Sequence, residues 1–458
     1  MAYQENSIEH LARRAPRANW SLLNAAVGKV VLCALGLALL SKMSGVPYAP
    51  ITLGVSAVFS YGVALAVYRL DAKGVRRVIG RIAVPFGFVA IVALNLSGLV
   101  GTLTGADSVR SFASLSLVAA PFYILSMCAV IADLANRRIE MPRMLDYLTY
   151  VAFPFKLLAG PLEQPGFIRQ IEAWRPNFSW SRLAVAWPWA VLGATMKFVI
   201  GDGLSPASTL GATDPISAIL TAAIFELRFY FDFAGYSFIG YAGALALGFR
   251  ITQNFAHPFF APNVVLFWRR WHMSLGRFLA RYLLEPNVGM IRGRLARMIF
   301  TSGIFFVSAL WHGGTMNYAF WGLFHATCYF LWISRLKRHR WSGTSGVAAM
   351  ILFFVAGRFL AIEADPHRLL AKLGNLLSPA AWRDDLMNVA ARMVEVVGPQ
   401  APYLAAATLF FIVEYQSVAR YGVGRPYHLF RRPVPAMVLL IIALLFGSTG
   451  GGLLYARL

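Results

Sequence analysis

Charged residues are scarce in this chain, and acidic residues are the scarcest. Only 14% of the 458 residues are charged, and 20 Asp and Glu stand against 42 Lys and Arg. The few carboxylates do not cluster, which excludes an acidic metal site of the Ca²⁺ or Mg²⁺ type. The three cysteines, Cys33, Cys128 and Cys328, all lie in apolar segments. We therefore expect them to be small core residues and expect no disulfide framework.

Several common enzyme motifs are also missing. The sequence has no HExxH, no CxxC pair, no Gly-rich Walker loop and no GxSxG elbow. Their absence argues against a zinc peptidase, a P-loop nucleotidase and a soluble hydrolase of the nucleophile-elbow type. We expect no bound metal and no permanently bound cofactor.

Apolar residues, by contrast, are abundant. They make up 58% of the chain, and the mean hydropathy is +0.60. Windows of roughly 18 to 22 apolar residues, long enough to cross the hydrocarbon core as helix, recur from residue 26 onward. Because lipid offers no hydrogen bonds, such segments fold as helices. The predicted fold is an all-α, polytopic membrane bundle of about 11 spanning helices plus re-entrant or interfacial helices. The clearest spans are 26–44, 50–69, 82–104, 112–134, 184–200, 296–311, 315–334, 346–363, 402–418 and 433–456.

Two middle segments read less simply. Residues 146–162 contain two prolines and a Gly-Pro, which predicts a broken or re-entrant element. Residues 215–249 are apolar but are interrupted by Glu226, Arg228, Asp232 and the Gly-Tyr-Ser of 235–237, which predicts two helices lining something polar.

Basic residues account for a formal net charge of +22, but they lie in short clusters between apolar segments. This pattern follows the positive-inside rule and does not indicate a nucleic-acid partner. It predicts a multi-pass membrane protein whose N-terminal segment, residues 1–25, is cytoplasmic. The stretch 364–401 is expected outside, and the turn at 311–314 is expected on the outer side or at mid-membrane depth. The cytoplasmic clusters are Arg13, Arg14 and Arg17; Lys73, Arg76, Arg77 and Arg81; and Arg137, Arg138 and Arg143.

The stretch FWRRWHMSLGRF, residues 267–278, concentrates charge between apolar segments. Taken as one helix, it places Arg270, Arg277 and Arg281 in a stripe, with His272 roughly 200° away from Arg270. The stripe is as consistent with a helix that only lies at the membrane interface, with phosphate-facing arginines and a tryptophan belt, as with a functional site. His272, which points away from the stripe, is predicted to have a buried polar role.

A second polar block is SALWHGGTMNYAFWGLFHA, residues 308–326. His312 there is followed by two glycines inside an apolar hairpin, and a buried imidazole requires a partner or a polar cavity. A satisfied core histidine is the alternative, but the glycines favour close approach of a ligand or another segment. His325 is interpreted as structural, and Asp232 fits a helix-pairing acceptor as well as a site residue. A neutral imidazole suits general-base activation of a hydroxyl.

At these residues the sequence resembles the membrane-bound O-acyltransferase family, in the bacterial branch of alginate O-acetylation and teichoic-acid D-alanylation proteins. The resemblance covers roughly residues 115–335. It departs from the family at Gly160–Pro165 and at Arg281–Gly289, so the substrate is not carried over. The matching segments are YFDFAGYS (230–237), NF (254–255) after Gln253, FWRRWHMSL (267–275), LWHG with FWGLFH, and LDYLTYVAFPFKLLAGPLE.

Because the sequence shows no internal repeat, low-complexity tract or domain boundary, we expect a single domain over 1–458. The resemblance implies that 115–335 is its core, that the bundle surrounds a central catalytic tunnel, and that it lies in the bacterial cytoplasmic (inner) membrane. It implies that His312 is the general base and that His272 orients the donor, an acyl thioester such as acetyl-CoA or an acidic acyl carrier protein. The expected partners on the outer side are a polysaccharide or a periplasmic acyltransferase, with membrane lipids around the bundle. The residues expected to bind substrate are Trp268, Arg269, Arg270, Trp271, Ser274, Asp232, Tyr236, Asn254, Trp311 and Gly313.

Three alternatives stay open at this point. Acetyl transfer to an exopolysaccharide is favoured over D-alanyl transfer toward a cell-envelope polymer, although no side chain distinguishes the two acyl groups. A transporter or flippase could use the same buried histidines as a proton relay. An inactive scaffold for a periplasmic transferase is disfavoured by the pair His272 and His312.

Overall fold

The computed structural model describes residues 22–44, 48–104, 120–157, 160–205, 209–313, 315–334 and 344–447. Every regular element in those ranges is helical. The first half contains α1 (Leu22–Ser44), α2 (Ala49–Arg69), α3 (Lys73–Thr104), α4 (Ala120–Ala135), α5 (Met144–Val151), α6 (Pro154–Leu157), α7 (Ile168–Ala173), α8 (Trp180–Ala194) and α9 (Pro215–Leu247). The second half contains α10 (Val264–Trp268), α11 (Met273–Leu279), α12 (Glu285–Val288), α13 (Arg294–Leu310), α14 (Met316–Ser334), α15 (Thr344–Ile362), α16 (Pro366–Leu377), α17 (Pro379–Met387), α18 (Val389–Val397), α19 (Ala401–Tyr421) and α20 (Pro433–Phe446). Short 3₁₀ turns cover Pro165–Phe167, Pro258–Phe260 and Gly398–Gln400, and π-helical segments cover Thr195–Gly201 and Ala280–Leu284.

Several of these helices match the dimensions of a bilayer. Within the described residues, five are long and apolar enough to cross a membrane. Large apolar side chains project outward from them, such as Phe59 (74% exposed) and Phe86 (69% exposed). Such a surface suits lipid rather than water, and the predicted all-α membrane bundle is confirmed. The five spans are Asn24–Lys42, Ala49–Arg69, Lys73–Leu96, Trp180–Gly201 and Val389–Tyr421.

The predicted break within 146–162 is present. Helix α5 ends at Val151, and α6 is a single turn that begins at Pro154. A Cβ atom at Gly36 of α1 would lie 1.8 Å from the carbonyl oxygen of Ala152, so α1 packs directly against the break. The buried Lys29 ammonium of α1 binds Asp146 at 2.5 Å. A helix break of this kind is tolerated at membrane depth because protein, rather than lipid, surrounds it.

The prediction of two helices over 215–249 is wrong, because α9 is one continuous helix of 33 residues. Gly235 does not interrupt it; instead it lets α8 and its π-helical extension come close. A Cβ atom at Gly235 would lie 2.6 Å from the backbone nitrogen of Lys197 and 2.7 Å from the backbone oxygen of Gly193. Lys197 binds both Asp232 and Asp202 at 2.5 Å. The carboxylate of Asp232 is therefore paired within the helix contact and does not need a break.

The prediction of one helix over 267–278 is also wrong. Helix α10 ends at Trp268, and α11 begins at Met273 after His272, whose φ of 43° and ψ of 53° are left-handed. Arg270, Arg277 and Arg281 therefore do not form the predicted stripe on one helix. Arg270 donates to the Phe260 oxygen at 3.1 Å.

Some predicted features lie outside the described residues. They are residues 1–21 of the N-terminal segment, 112–119 of the fourth span, Gly314, the basic loop within 335–343, and 448–456 of the last span. The stretch 364–401, which the sequence predicts to lie outside, contains α16, α17 and α18.

Replacing Gly235 with Ala is expected to destabilise the protein by about 1–3 kcal/mol, because the added methyl group meets backbone atoms that cannot rotate away. Gly54→Ala is the matched control, since a Cβ atom at Gly54 meets nothing within 4 Å. Thermal unfolding in detergent measures both. Equal melting temperatures for the two variants would contradict the close α8–α9 contact.

Candidate functional site

One cavity of about 560 Å³ lies between α9, α10, α11, α13, α14 and α15. Aromatic and aliphatic side chains form most of its wall, as is usual for ligand sites. Seven ionisable side chains also line it. They are Glu226, Arg269, His272, Arg277, His312, His325 and Arg358.

His272 reaches the cavity through a strained turn. A left-handed backbone is uncommon for a residue other than glycine and persists only where neighbours hold it. Here the Ala256 amide donates to the Arg270 oxygen at 3.0 Å, and the Met273 amide donates to the Asn254 oxygen at 2.9 Å. These two bonds tie both sides of the turn to the extended segment before it. The imidazole packs edge-to-face on Phe233, with the ring centres 4.9 Å apart.

Asn254 and Ser274 hold this turn from behind. The Ser274 hydroxyl donates to Asn254 Oδ1 at 2.6 Å, and the Ser274 amide donates to the same oxygen at 3.3 Å. The Ser274 hydroxyl also accepts from the Leu162 amide at 2.9 Å. Both side chains are buried, and neither lines the cavity. Their contacts position His272 and the Gly-Pro segment relative to each other.

His312 follows the last turn of α13, and aromatic rings surround it. Its ring lies 4.6 Å from Trp311, 5.6 Å from Trp321 and 6.5 Å from Tyr318, with which it is stacked. A Cβ atom at Gly313 would lie 2.2 Å from the Tyr318 ring. Gly313 therefore acts by letting Tyr318 pack beside the histidine.

His325 also lines the cavity, although the sequence indicated only a structural role. Its ring lies edge-on to Trp268 at 5.2 Å and to Trp321 at 4.9 Å. Trp321 thus contacts both His312 and His325. A Cβ atom at Gly357 would lie 2.9 Å from His325 Nε2, so the glycine lets this ring approach α15.

Arg358 and Glu226 are cavity residues that the sequence reasoning did not assign to the site. Arg358 Nε binds Glu226 Oε2 at 2.6 Å, and both side chains are buried. The guanidinium lies over the Phe229 ring, 4.1 Å from its centre. A signal was available, because Arg358 is the one charged residue within 344–362, and an ionisable residue at membrane depth indicates function.

Exposed arginines mark where the cavity opens. Arg269 and Arg277 are solvent-exposed and also line the cavity wall. One turn further, Arg281 binds the buried Asp133 carboxylate at 2.9 Å. Asp133 also meets Arg138 at 3.4 Å, at the end of α4. The opening therefore lies at the arginine-bearing end of α4.

The structure brings five of the twelve predicted site residues into the cavity and places seven elsewhere. Asp232 pairs with Lys197. Trp311 packs against Phe88 and Phe122, and Tyr236 is half-buried against the main apolar core. The five are Trp268, Arg269, Trp271, His272 and His312; the seven are Arg270, Ser274, Asp232, Tyr236, Asn254, Trp311 and Gly313.

Comparison with known proteins gives a match to one protein family. The model of the MBOAT, membrane-bound O-acyltransferase family matches residues 112–362, more than half of the chain. The chain belongs to this family. The stated resemblance is thereby confirmed, and the matched region contains both histidine motifs and Arg358.

The similarity to individual relatives is low. The chain is 30% identical over 45% of its length to the protein named "Probable alginate O-acetylase AlgI" of Azotobacter vinelandii, covering 42% of that protein. It is 26% identical over 61% of its length to the peptidoglycan O-acetyltransferase of Helicobacter pylori, covering 60% of it. It is 25% identical over 50% of its length to the teichoic acid D-alanyltransferase of Bacillus subtilis, covering 61% of it. The chain thus spans between 42% and 61% of the length of these curated relatives.

Asn254→Ala is expected to destabilise the protein by about 1–3 kcal/mol, because the Ser274 donors lose their buried acceptor. The neighbouring Gln253→Ala is the control, since Gln253 is only half-buried and donates to the Phe255 oxygen. Thermal unfolding is the measurement. A Gln253 variant as unstable as the Asn254 variant would contradict the assigned support of the His272 turn.

Proposed function

We propose that this protein is a multi-pass inner-membrane acyltransferase that moves an acyl group, with acetyl favoured, from a cytoplasmic thioester to a hydroxyl acceptor outside. The observation that carries the proposal is that His312 and His272 line one cavity whose opening bears Arg269 and Arg277. A proton relay in a transporter needs no such anion-binding opening. The fold thus combines a buried base with a mouth suited to a negatively charged donor.

The donor side follows from charge. Acetyl-CoA carries phosphates and acyl carrier proteins are acidic, so either donor is attracted to exposed guanidinium groups. The opening lies beside the end of α4, which leads into Arg137, Arg138 and Arg143. Because basic loops face the cytoplasm, this end of the cavity is assigned to the cytoplasmic side, in agreement with a cytoplasmic N-terminus.

The chemistry assigned to His312 is general-base catalysis. Its neutral imidazole takes the proton of the acceptor hydroxyl while the oxygen attacks the thioester carbonyl carbon. The carbon–sulfur bond then breaks, and the thiolate leaves with the proton held by the imidazolium. Base catalysis contributes roughly 10² to 10⁴-fold in rate, and fixing both substrates in one cavity contributes further through effective molarity. His272, which lines the same cavity, orients the thioester.

The acceptor is proposed to be a cell-envelope polysaccharide or a periplasmic acyltransferase that passes the acyl group on. Acetyl is favoured because two of the relatives above are named for O-acetylation of polymers. D-alanyl transfer is the second candidate, because a D-alanyltransferase aligns over 248 residues.

Replacing His312 with Ala is expected to lower acyl transfer by roughly 10² to 10⁴-fold, because the acceptor proton loses its base. The measurement is transfer of labelled acetyl from acetyl-CoA, and of D-alanine from a charged carrier protein, in reconstituted vesicles. His367→Ala is the control, since His367 is exposed on α16. Unchanged transfer by a folded His312 variant would overturn the mechanism, and transfer of D-alanine alone would overturn the acetyl assignment.

The double variant Arg269→Gln, Arg277→Gln is expected to raise KM for the donor by roughly tenfold and leave kcat nearly unchanged, because it weakens electrostatic capture at the opening. The difference from the native protein should shrink as salt is raised. The exposed Arg383→Gln on α17 serves as the charge-matched control. A salt-independent effect, or an equal effect of the control, argues against an anionic donor at this opening.

A further inference from the structure

The Arg358–Glu226 pair has an unusual geometry for a structural ion pair. Only Nε of the guanidinium meets the carboxylate, at 2.6 Å. Within the part of the chain that the structure describes, neither Nη1 nor Nη2 of Arg358 has a hydrogen-bond acceptor. A guanidinium carries five N–H donors. The Nη1 and Nη2 groups of Arg358 are therefore available as donors to a molecule in the cavity that this side chain lines.

The unused donors belong to a side chain of the cavity wall. Arg358 is 7% exposed and lines the same cavity as His312 and His325. Glu226 binds the guanidinium, and the face of the Phe229 ring packs against it. The group is thus held rigidly, as a donor that serves a transition state must be.

We infer that Arg358 is a catalytic residue of the proposed acyl transfer: its Nη1 and Nη2 groups donate hydrogen bonds to the carbonyl oxygen of the acyl thioester and stabilise the oxyanion. The inference rests on the proposed function. Attack of the acceptor oxygen forms the new carbon–oxygen bond and moves the electron pair of the carbonyl double bond onto the carbonyl oxygen. The pair returns as the carbon–sulfur bond breaks, and the thiolate receives the proton that His312 took from the acceptor.

The pairing with Glu226 suits this role. The carboxylate offsets the fixed positive charge between catalytic cycles, so the cavity does not hold an isolated cation in the membrane interior. The oxyanion adds one negative charge only in the intermediate, and the guanidinium is already held in place to donate hydrogen bonds to it. Lysine could offer the charge but not the two-donor geometry.

The test compares three variants in the vesicle assay: Arg358→Lys, Arg358→Ala, and the pair replacement Glu226→Leu with Arg358→Met. Loss of one oxyanion donor lowers kcat by roughly 10² to 10³-fold, so each variant is expected to show a fall of this size with KM for the donor nearly unchanged. Added guanidinium is expected to restore part of kcat to the Arg358→Ala variant, a result that a purely structural role would not give.

The control and the folding readout make the result decisive. Arg431→Gln removes another guanidinium that lies on an aromatic ring, 4.5 Å from the Trp189 centre, but outside the cavity; its kcat is expected to stay at the native value. The pair replacement removes both charges together, which buried apolar sites commonly tolerate, so it separates catalysis from folding.

Each contrary result has one meaning. If native protein transfers acyl groups and the His312→Ala variant does not, while the folded pair replacement keeps native kcat, the role of Arg358 is overturned and the proposed function stands. A rise in KM for the acceptor with native kcat would also overturn it, since Arg358 would then bind an acidic acceptor. If native protein transfers no acyl group, the proposed function itself fails.

Discussion

A charge inside a lipid bilayer must meet a counter-charge or face a polar cavity, and this constraint organises the protein. The fold satisfies it mostly by pairing, and the pairs join helices that are distant in sequence. The cavity differs because several ionisable side chains line one space, where Glu226 pairs with Arg358. The buried pairs elsewhere in the described residues include Lys29 with Asp146, Lys197 with Asp202 and Asp232, and His257 with Glu414.

The cavity also depends on backbone features that give up local stability. Gly313 and Gly357 let aromatic and imidazole rings approach the helices closely. The left-handed turn at His272 interrupts what would otherwise be one helix, and hydrogen bonds to the segment around Asn254 hold it in place. Strain supported in this way is typical of functional sites. Rigid support and a site open to ligand thus come from the same short segments.

The sequence predicted the helical membrane fold, the break near Pro154 and the pairing of His272 with His312 in one site. Hydrophobic length carries the first, the prolines carry the second, and the resemblance to the family carries the third. It did not predict the single helix α9, because the Gly235 pattern typical of a break instead serves helix contact, which depends on a partner far along the chain. The predicted arginine stripe of residues 267–278 was wrong, because assigning residues to a helix face requires an unbroken helix. Arg358 could have been proposed from its lone charge, but its pairing with Glu226 requires the folded chain.

The most direct measurement is an experimental structure of the protein in a lipid environment with a non-hydrolysable acetyl-CoA analogue. The account predicts density for the acyl carbonyl between His312 and Arg358, within hydrogen-bond distance of both, and density for the phosphates beside Arg269 and Arg277. An analogue bound outside this cavity, or a carbonyl turned away from both side chains while the phosphates lie at another surface, would contradict the account.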